Sequence, residues 1–296
     1  MDPTMPTIDV LDSHIHHTDV PGSRPGGPAI VLLHGNPSSS HAWRAVTPVL
    51  SGAGRVLAPD LIGMGRSGKP DIAYSFADHA RYLAAWLDAV GLDRVLLVGH
   101  DWGGALAFDW AAQHPDRVVG VAFFETIMRP MSWDELGPGP RSRAETMRSA
   151  QGEDLILGTN DFISSAYTGG VRTPLSAAEM APYLAPYQTR ESRRPVLSWA
   201  RSLPLDDDPA DVAERVRGYG KWLAASPEVP KLLLTFEGSP TLLVTPAIAA
   251  WCAANVAALD IEHIGPAGHH ATEDQPAAIG AAVARWVARV VSRPAV

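Results

Sequence analysis

Three features of the 296-residue sequence predict an α/β fold: a mostly parallel, doubly wound sheet with a block of helices inserted into it. Short uninterrupted runs of β-branched residues and leucine suit strands buried on both faces, as parallel strands between two helical layers are. Segments with apolar residues three and four apart separate those runs, and such alternation builds right-handed crossovers. The alternation stops near residue 130 and resumes only after residue 222.

The run "AIVLLHG" (29–35) is the first core strand, and "RVLLVGH" (94–100) follows it as the next strong one. Between them Leu83, Trp86, Leu87 and Val90 recur on one helical face, and Ser75 is placed to cap that helix with its hydroxyl. "VVGVAFFE" (118–125), "KLLLTFE" (231–237) and "IEHIG" (261–265) read as further strands. A closing helix carries Ile279, Val283, Trp286, Val287 and Val290 on one side. From Pro130 to Trp222 there are only short helical patches, broken by "GPGPRSR", "TGGVRTP" and "LPLDDDPAD". The expected organisation is a core in two parts, residues 1–129 and 223–296, with a helical cap over 130–222 and a cleft at their junction.

Composition narrows the class. With 46% hydrophobic residues the chain can bury a large core, so disorder is not expected. Its 24 Lys and Arg against 32 Asp and Glu give a formal charge of −8, and no basic block stands out, so neither nucleic acid nor an anionic membrane is an expected partner. Cys252 stands alone and has no internal disulfide partner. The opening "MDPTMPTIDVLDSHIHH" lacks a basic segment leading into an apolar one, and no uncharged apolar run is long enough to span a bilayer. A soluble cytoplasmic protein is the expectation.

The stretch "LLVGHDWGGALAF" (96–108) has the outline of a strand-to-helix nucleophile elbow, G-x-S-x-G, with Asp101 where serine usually stands. Glu125 ends the following strand, and His269 precedes the last helix in "PAGHHATEDQP". The chain order nucleophile, acid, histidine is that of the α/β hydrolases, and in an open sheet all three positions fall at the carboxyl edge of the strands. A serine attacks carbonyl carbon. A carboxylate that displaces a leaving group from saturated carbon makes an alkyl ester, which water can then split at the aspartate's own carboxyl carbon. The substrate is therefore an alkyl electrophile. His269 would be the general base of the second step, Glu125 would orient it, and backbone N–H groups would hold the oxyanion. No metal or other cofactor is implied.

The blocks "HGNPSSSHAWR", "DLIGMGRSGKP", "GHDWGGALAFDWAAQHPDRV", "FFETIMRPMSWDE" and "GPAGHHATEDQP" closely resemble, in order, those of the haloalkane dehalogenases. The resemblance implies an α/β-hydrolase fold and hydrolysis of a carbon–halogen bond to an alcohol, a halide and a proton. It also implies Asp101 as nucleophile, His269 as base, Glu125 as acid, and Asn36 with Trp102 as the halide-binding pair. A departing halide in a dry cavity needs donors that do not themselves react, and an indole N–H and a side-chain amide are such donors. Alignment with that family places Phe162, Ala166, Trp199, Leu203, Leu242 and Leu243 around the cleft, an apolar wall suited to a small halogenated hydrocarbon. Ala166 and Gly170 are small where an entrance would pass.

Rival assignments stay open at this level. His270 competes with His269 as base, and Glu237, after "KLLLTF", competes with Glu125 as acid, although "GSPTLLVTP" resembles the subfamily that lacks an acid there. An epoxide hydrolase would share the ester chemistry and could draw on Tyr183 and Tyr187 in the insertion. A coelenterazine-oxidising luciferase, or a catalytically silent binding protein, could also be built on the same scaffold. Two further features are set aside as structural: "HIHH", with His14, His16 and His17, as a surface strand, and the run from Asp206 to Asp211 as a solvated helix start.

Overall fold

The computed structural model describes residues 6–23 and 27–292, so the first five residues of the opening segment lie outside it. Eight strands form one sheet: β1 (Thr7–Val10), β2 (Ser13–Val20), β3 (Ala29–Leu33), β4 (Val56–Pro59), β5 (Val95–His100), β6 (Val118–Phe124), β7 (Lys231–Glu237) and β8 (Leu259–Pro266). Their spatial order is β1-β2-β4-β3-β5-β6-β7-β8. The first two strands pair antiparallel, as do β2 and β4, and every later pairing is parallel. Side chains of the central strands alternate between two apolar layers. Ile30, Leu32, Leu96 and Val98 enter one, and Val31, Leu33, Val95 and Leu97 the other.

Those two layers are closed by helices on opposite faces. On one side lie α1 (Thr47–Leu50) and, at the end of the chain, α12 (Pro276–Val291), whose predicted stripe from Ile279 to Val290 is buried. On the other lie α2 (Phe76–Ala89) and α3 (Trp102–Gln113). Ser75 caps α2 as expected: its hydroxyl accepts from the Asp78 N–H at 3.1 Å, and the Asp78 carboxylate accepts from the Ser75 N–H at 3.0 Å. Almost all of α3 is buried, so it carries no amphipathic pattern.

Between β6 and β7 the chain is helical: α4 (Pro138–Arg148), α5 (Ala150–Gly158), α6 (Asp161–Gly170), α7 (Ala177–Leu184), α8 (Arg194–Arg201) and α9 (Ala210–Ala225). The first five share a separate apolar cluster around Ile156, Ile163, Tyr167, Tyr183 and Val196. Helix α9 instead packs into the sheet's own core through Val212, Val216, Tyr219 and Leu223, with the Tyr219 ring 5.5 Å from that of Phe108. The acidic run ahead of it is exposed from Asp206 to Asp208. After β7 come α10 (Pro246–Asn255) and, just past β8, the single turn α11 (Ala271–Asp274).

One expectation needs correction. The "HIHH" segment is a strand, but not a surface one: β2 is paired on both sides, and His16 and His17 are only 6% and 1% exposed. Their partners are distant in sequence. His16 Nδ1 lies 3.3 Å from the buried Asp60 carboxylate, and Trp86 donates its indole N–H to His17 Nδ1 at 3.4 Å. A polar run reads as surface only until such partners are known.

Candidate active site

Asp101 sits at the tip of the turn from β5 to α3 with φ 51° and ψ −129°, a region that L-residues seldom occupy. Its neighbours pin it there. The Asp101 N–H donates to the Glu125 carbonyl at 3.2 Å, and the Thr126 hydroxyl donates to the Asp101 carbonyl at 2.6 Å. The turn is tight enough that a Cβ on Gly103 would stand 2.1 Å from the Leu33 carbonyl oxygen, so only glycine fits. On the opposite side a Cβ on Gly35 would lie 2.2 Å from Asp101 Oδ2.

The Asp101 carboxylate is differentiated by its contacts. Oδ2 accepts the backbone N–H of Asn36 at 2.7 Å, and the Trp102 N–H is also directed at this carboxylate. Oδ1 faces His269 Nε2 at 3.9 Å, too long for a direct hydrogen bond. Burial pushes the Asp101 pKa up, against the opposing pull of His269 and the two N–H groups.

His269 follows β8, with Nδ1 3.2 Å from Glu125 Oε2. A carboxylate only accepts, so Nδ1 carries the proton and Nε2 is left as the basic nitrogen on the Asp101 side. Burial disfavours its charged form, but the hydrogen bond to Glu125 and the charges of Asp101 and Glu125 outweigh that and raise its pKa above the ordinary histidine value. Glu125 is fully buried and is itself held in place: Oε2 accepts the Leu243 N–H at 2.7 Å and Oε1 the Val244 N–H at 3.1 Å.

The rival residues stand elsewhere. His270 stacks on Tyr167 at 4.2 Å and burial keeps its pKa well below the usual value. Glu237 lies on the exposed edge, 3.9 Å from His263. Nitrogens of His100, His269 and His270 come within 4.8 Å of one another. That cluster is committed to the polypeptide, because His100 Nε2 donates to the His269 carbonyl at 2.7 Å and His269 Nδ1 serves Glu125.

Asn36 and Trp102 flank Asp101. The Asn36 amide donates to the Val196 carbonyl on α8 at 3.2 Å, which leaves its second amide N–H. The Trp102 indole is the inner member of a stack, 4.6 Å from Trp199, which lies 4.3 Å from His79. Burial drives the His79 pKa down to about 3, so this ring is neutral. Neither His79 nor the N–H groups of Leu243 and Val244 carried a sequence signal, since each acts through a contact between distant segments.

Of the expected wall residues, Trp199 and Ala166 are buried, Phe162 is half-buried, Leu203 packs on the core beneath the insertion, and Leu242 packs on the α12 side of the sheet. Gly170 does not line an opening. A Cβ there would be 2.6 Å from His270 Cδ2, and its carbonyl accepts the His270 N–H at 2.8 Å, so its small size serves close packing. A groove of 590 Å³ between α2, α5, α8 and α9 contains none of Asp101, Glu125 or His269, and its floor residue Phe76 touches Trp102 edge-on from behind.

The sheet, the elbow and the histidine after the last strand define an α/β hydrolase, and residues 28–244 match the family model described as the alpha/beta hydrolase fold. The chain is 44% identical over 276 residues to a haloalkane dehalogenase of Bradyrhizobium diazoefficiens, covering 89% of this chain and 88% of that protein. It is 41% identical over 292 residues to a haloalkane dehalogenase of Mesorhizobium japonicum, covering 98% and 93%. Among solved structures, haloalkane dehalogenase DbeA from Bradyrhizobium elkani superposes with a TM-score of 0.91 at 42% identity, over 97% of this chain and 98% of that one. DatA from Agrobacterium tumefaciens C58, another haloalkane dehalogenase, gives 0.90 at 37% identity over 97% and 96%. The chain belongs to the haloalkane dehalogenase family.

Proposed function

We propose that this chain hydrolyses small apolar haloalkanes, with Asp101 as nucleophile, His269 as base and Glu125 as the acid that orients it. The two ring nitrogens of His269 carry that reading: one is bonded to Glu125 and the other faces Asp101 at 3.9 Å, so a water seated beside both is within reach of the base and of the ester carbon.

Asp101 Oδ1 displaces the halide from the substrate carbon and forms an alkyl ester, while Oδ2 stays on the Asn36 N–H. His269 Nε2 then takes a proton from water, whose oxygen attacks Cγ of Asp101. Negative charge gathers on Oδ2, which already accepts the Asn36 N–H, and the Trp102 N–H is also directed at this carboxyl group, so little reorganisation is needed. Collapse releases the alcohol, protonated by His269, and restores the carboxyl group, which loses a proton. The Trp102 indole N–H, which no acceptor among the described residues takes up, and the spare Asn36 N–H bind the departing halide.

Residues 130–222 form the cap in this reading: α4 to α8 roof the site and α9 fastens the roof to α3. Phe162, Ala166, Trp199, Leu203, Leu242 and Leu243 line the substrate side. Of the tyrosines an epoxide hydrolase would need, Tyr183 is engaged with Glu273 and Arg44, and Tyr187 is buried with its ring beneath Lys69. A cytoplasmic location is part of the same proposal. No helix of the described residues is long and apolar enough to cross a membrane.

Incubation with a terminal bromoalkane should release bromide and acid in equal amounts, with no turnover of an epoxide and no light from coelenterazine in parallel. Turnover of the epoxide in place of the bromide would refute the reading.

A further inference from the structure

The wall proposed for the substrate is apolar, yet a cation stands at one end of it. Phe162, Ala166 and Gly170 are four residues apart on α6 and share one face of that helix. At the inner end Gly170 abuts His270. At the outer end, two turns or about 12 Å along the helix axis, comes Phe162. Over its ring, 4.9 Å from the centroid, lies the guanidinium of Arg143 from α4. Among the described residues Arg143 has neither a carboxylate partner nor a hydrogen-bond acceptor. Its neighbours in the insertion differ: Arg141, Arg148 and Arg194 each pair with an aspartate. Its charge is also felt at the inner end, where it opposes protonation of His269 and His270.

An unpaired guanidinium beside an aromatic ring, on the surface that leads to a nucleophile, is matched by a chain with an anionic far end. We propose that Arg143 makes this enzyme recognise ω-halogenated carboxylates: the halogen-bearing carbon at Asp101, the methylene chain along Ala166 and Phe162, and the carboxylate on the guanidinium. The inference rests on Asp101 as the nucleophile and leaves the chemical steps unchanged. It excludes α-halo acids, whose carboxylate would lie against that of Asp101 and be repelled.

The test compares kcat/KM for ω-bromohexanoate and hexyl bromide, by bromide release, in the wild type, Arg143→Leu and Arg143→Lys. The ratio of acid to neutral substrate should fall about two- to fivefold in Arg143→Leu, the range of an ion pair near solvent. It should fall less in Arg143→Lys, and the difference should shrink as salt is added. On the high-pH plateau, where His269 is neutral in every form, hexyl bromide turnover should be the same in all three. An unchanged ratio at low salt, with hexyl bromide turnover intact, overturns the proposal. Calorimetric binding of hexanoate needs no turnover: tighter binding to the wild type than to Arg143→Leu supports the assignment, and equal binding overturns it. Should no form release bromide from hexyl bromide, the dehalogenase reading fails, while the hexanoate titration still decides the role of Arg143.

Discussion

The backbone N–H of Asp101 donates to the carbonyl of Glu125 at 3.2 Å, and both residues hold a left-handed φ, 51° and 48°. Such a backbone costs on the order of 1–3 kcal/mol at each non-glycine position and persists only where the surroundings impose it. Here they do, because β5 and β6 are adjacent parallel strands and each ends in one of these turns. Asp101 and Glu125 are thereby held in fixed register before any side chain is considered.

Asp101→Asn should abolish bromide release, with a loss of at least about 10⁴-fold, as expected when the nucleophile itself is removed. The same variant should melt at a higher temperature. Burial raises the Asp101 pKa, so the fold favours its uncharged form, and the stability linked to that form is lost as pH rises through the folded pKa. Asparagine is uncharged at every pH. Calorimetry at neutral pH checks this, and a lower melting temperature would contradict the assignment of desolvation as the dominant influence on Asp101.

In His269→Phe the ester should form and persist. Mass spectrometry after exposure to a bromoalkane should show the alkyl group added to the peptide containing Asp101. An adduct elsewhere, or none while the wild type is active, would reassign the base or the nucleophile.

The pH dependence has a defined sign. His269 acts as base only when neutral, and its pKa lies above 6.5 in the resting enzyme, so turnover should fall as pH drops from above that value. Esterified Asp101 no longer carries the charge that helps raise this pKa. Breakdown of the alkyl-enzyme in single-turnover experiments should therefore lose rate at a lower pH than the His269 titration seen by NMR in the resting enzyme. Stability runs the other way: the contribution of protonated His269 is complete below pH 6.5 and disappears as pH rises through the folded pKa. Coincidence of the two midpoints would remove Asp101 from the influences on His269.

Trp102→Phe keeps the ring that stacks on Trp199 but lacks the indole N–H, and Asn36→Leu keeps the backbone N–H on Asp101 but lacks the amide. Each should lower the alkylation rate by about 10²-fold or more, the usual effect of losing one donor to a developing anion. Breakdown of the ester should change little, since the backbone donors remain. Pre-steady-state bromide release separates the two steps, and an equal effect on both would refute a halide role.

Glu125→Gln should cost about 10⁴-fold in turnover, because the amide can present the wrong partner to His269 Nδ1. Glu237→Gln should leave turnover unchanged, its side chain being exposed and directed at His263. The reverse result would transfer the acid role to Glu237.

The sequence by itself determined the layering of the sheet and the chemistry of its turn. Short apolar runs rich in β-branched residues and leucine, bounded by turn signals, suit strands buried on both faces, and an aspartate between Gly99 and Gly103 on a strand-to-helix turn points to ester chemistry at saturated carbon. Both signals are local, complete within a dozen residues. The tertiary structure decided what depends on long-range contact. Only folding brings the Leu243 and Val244 N–H groups onto Glu125, sets His269 beside it while His270 turns to Tyr167, and buries the histidines of β2 against Asp60 and Trp86. It also leaves Arg143 unpaired over Phe162, where residues of the same type nearby find acids. A side chain's role is set by its partners, and those separated by a hundred residues of chain leave no periodicity to read.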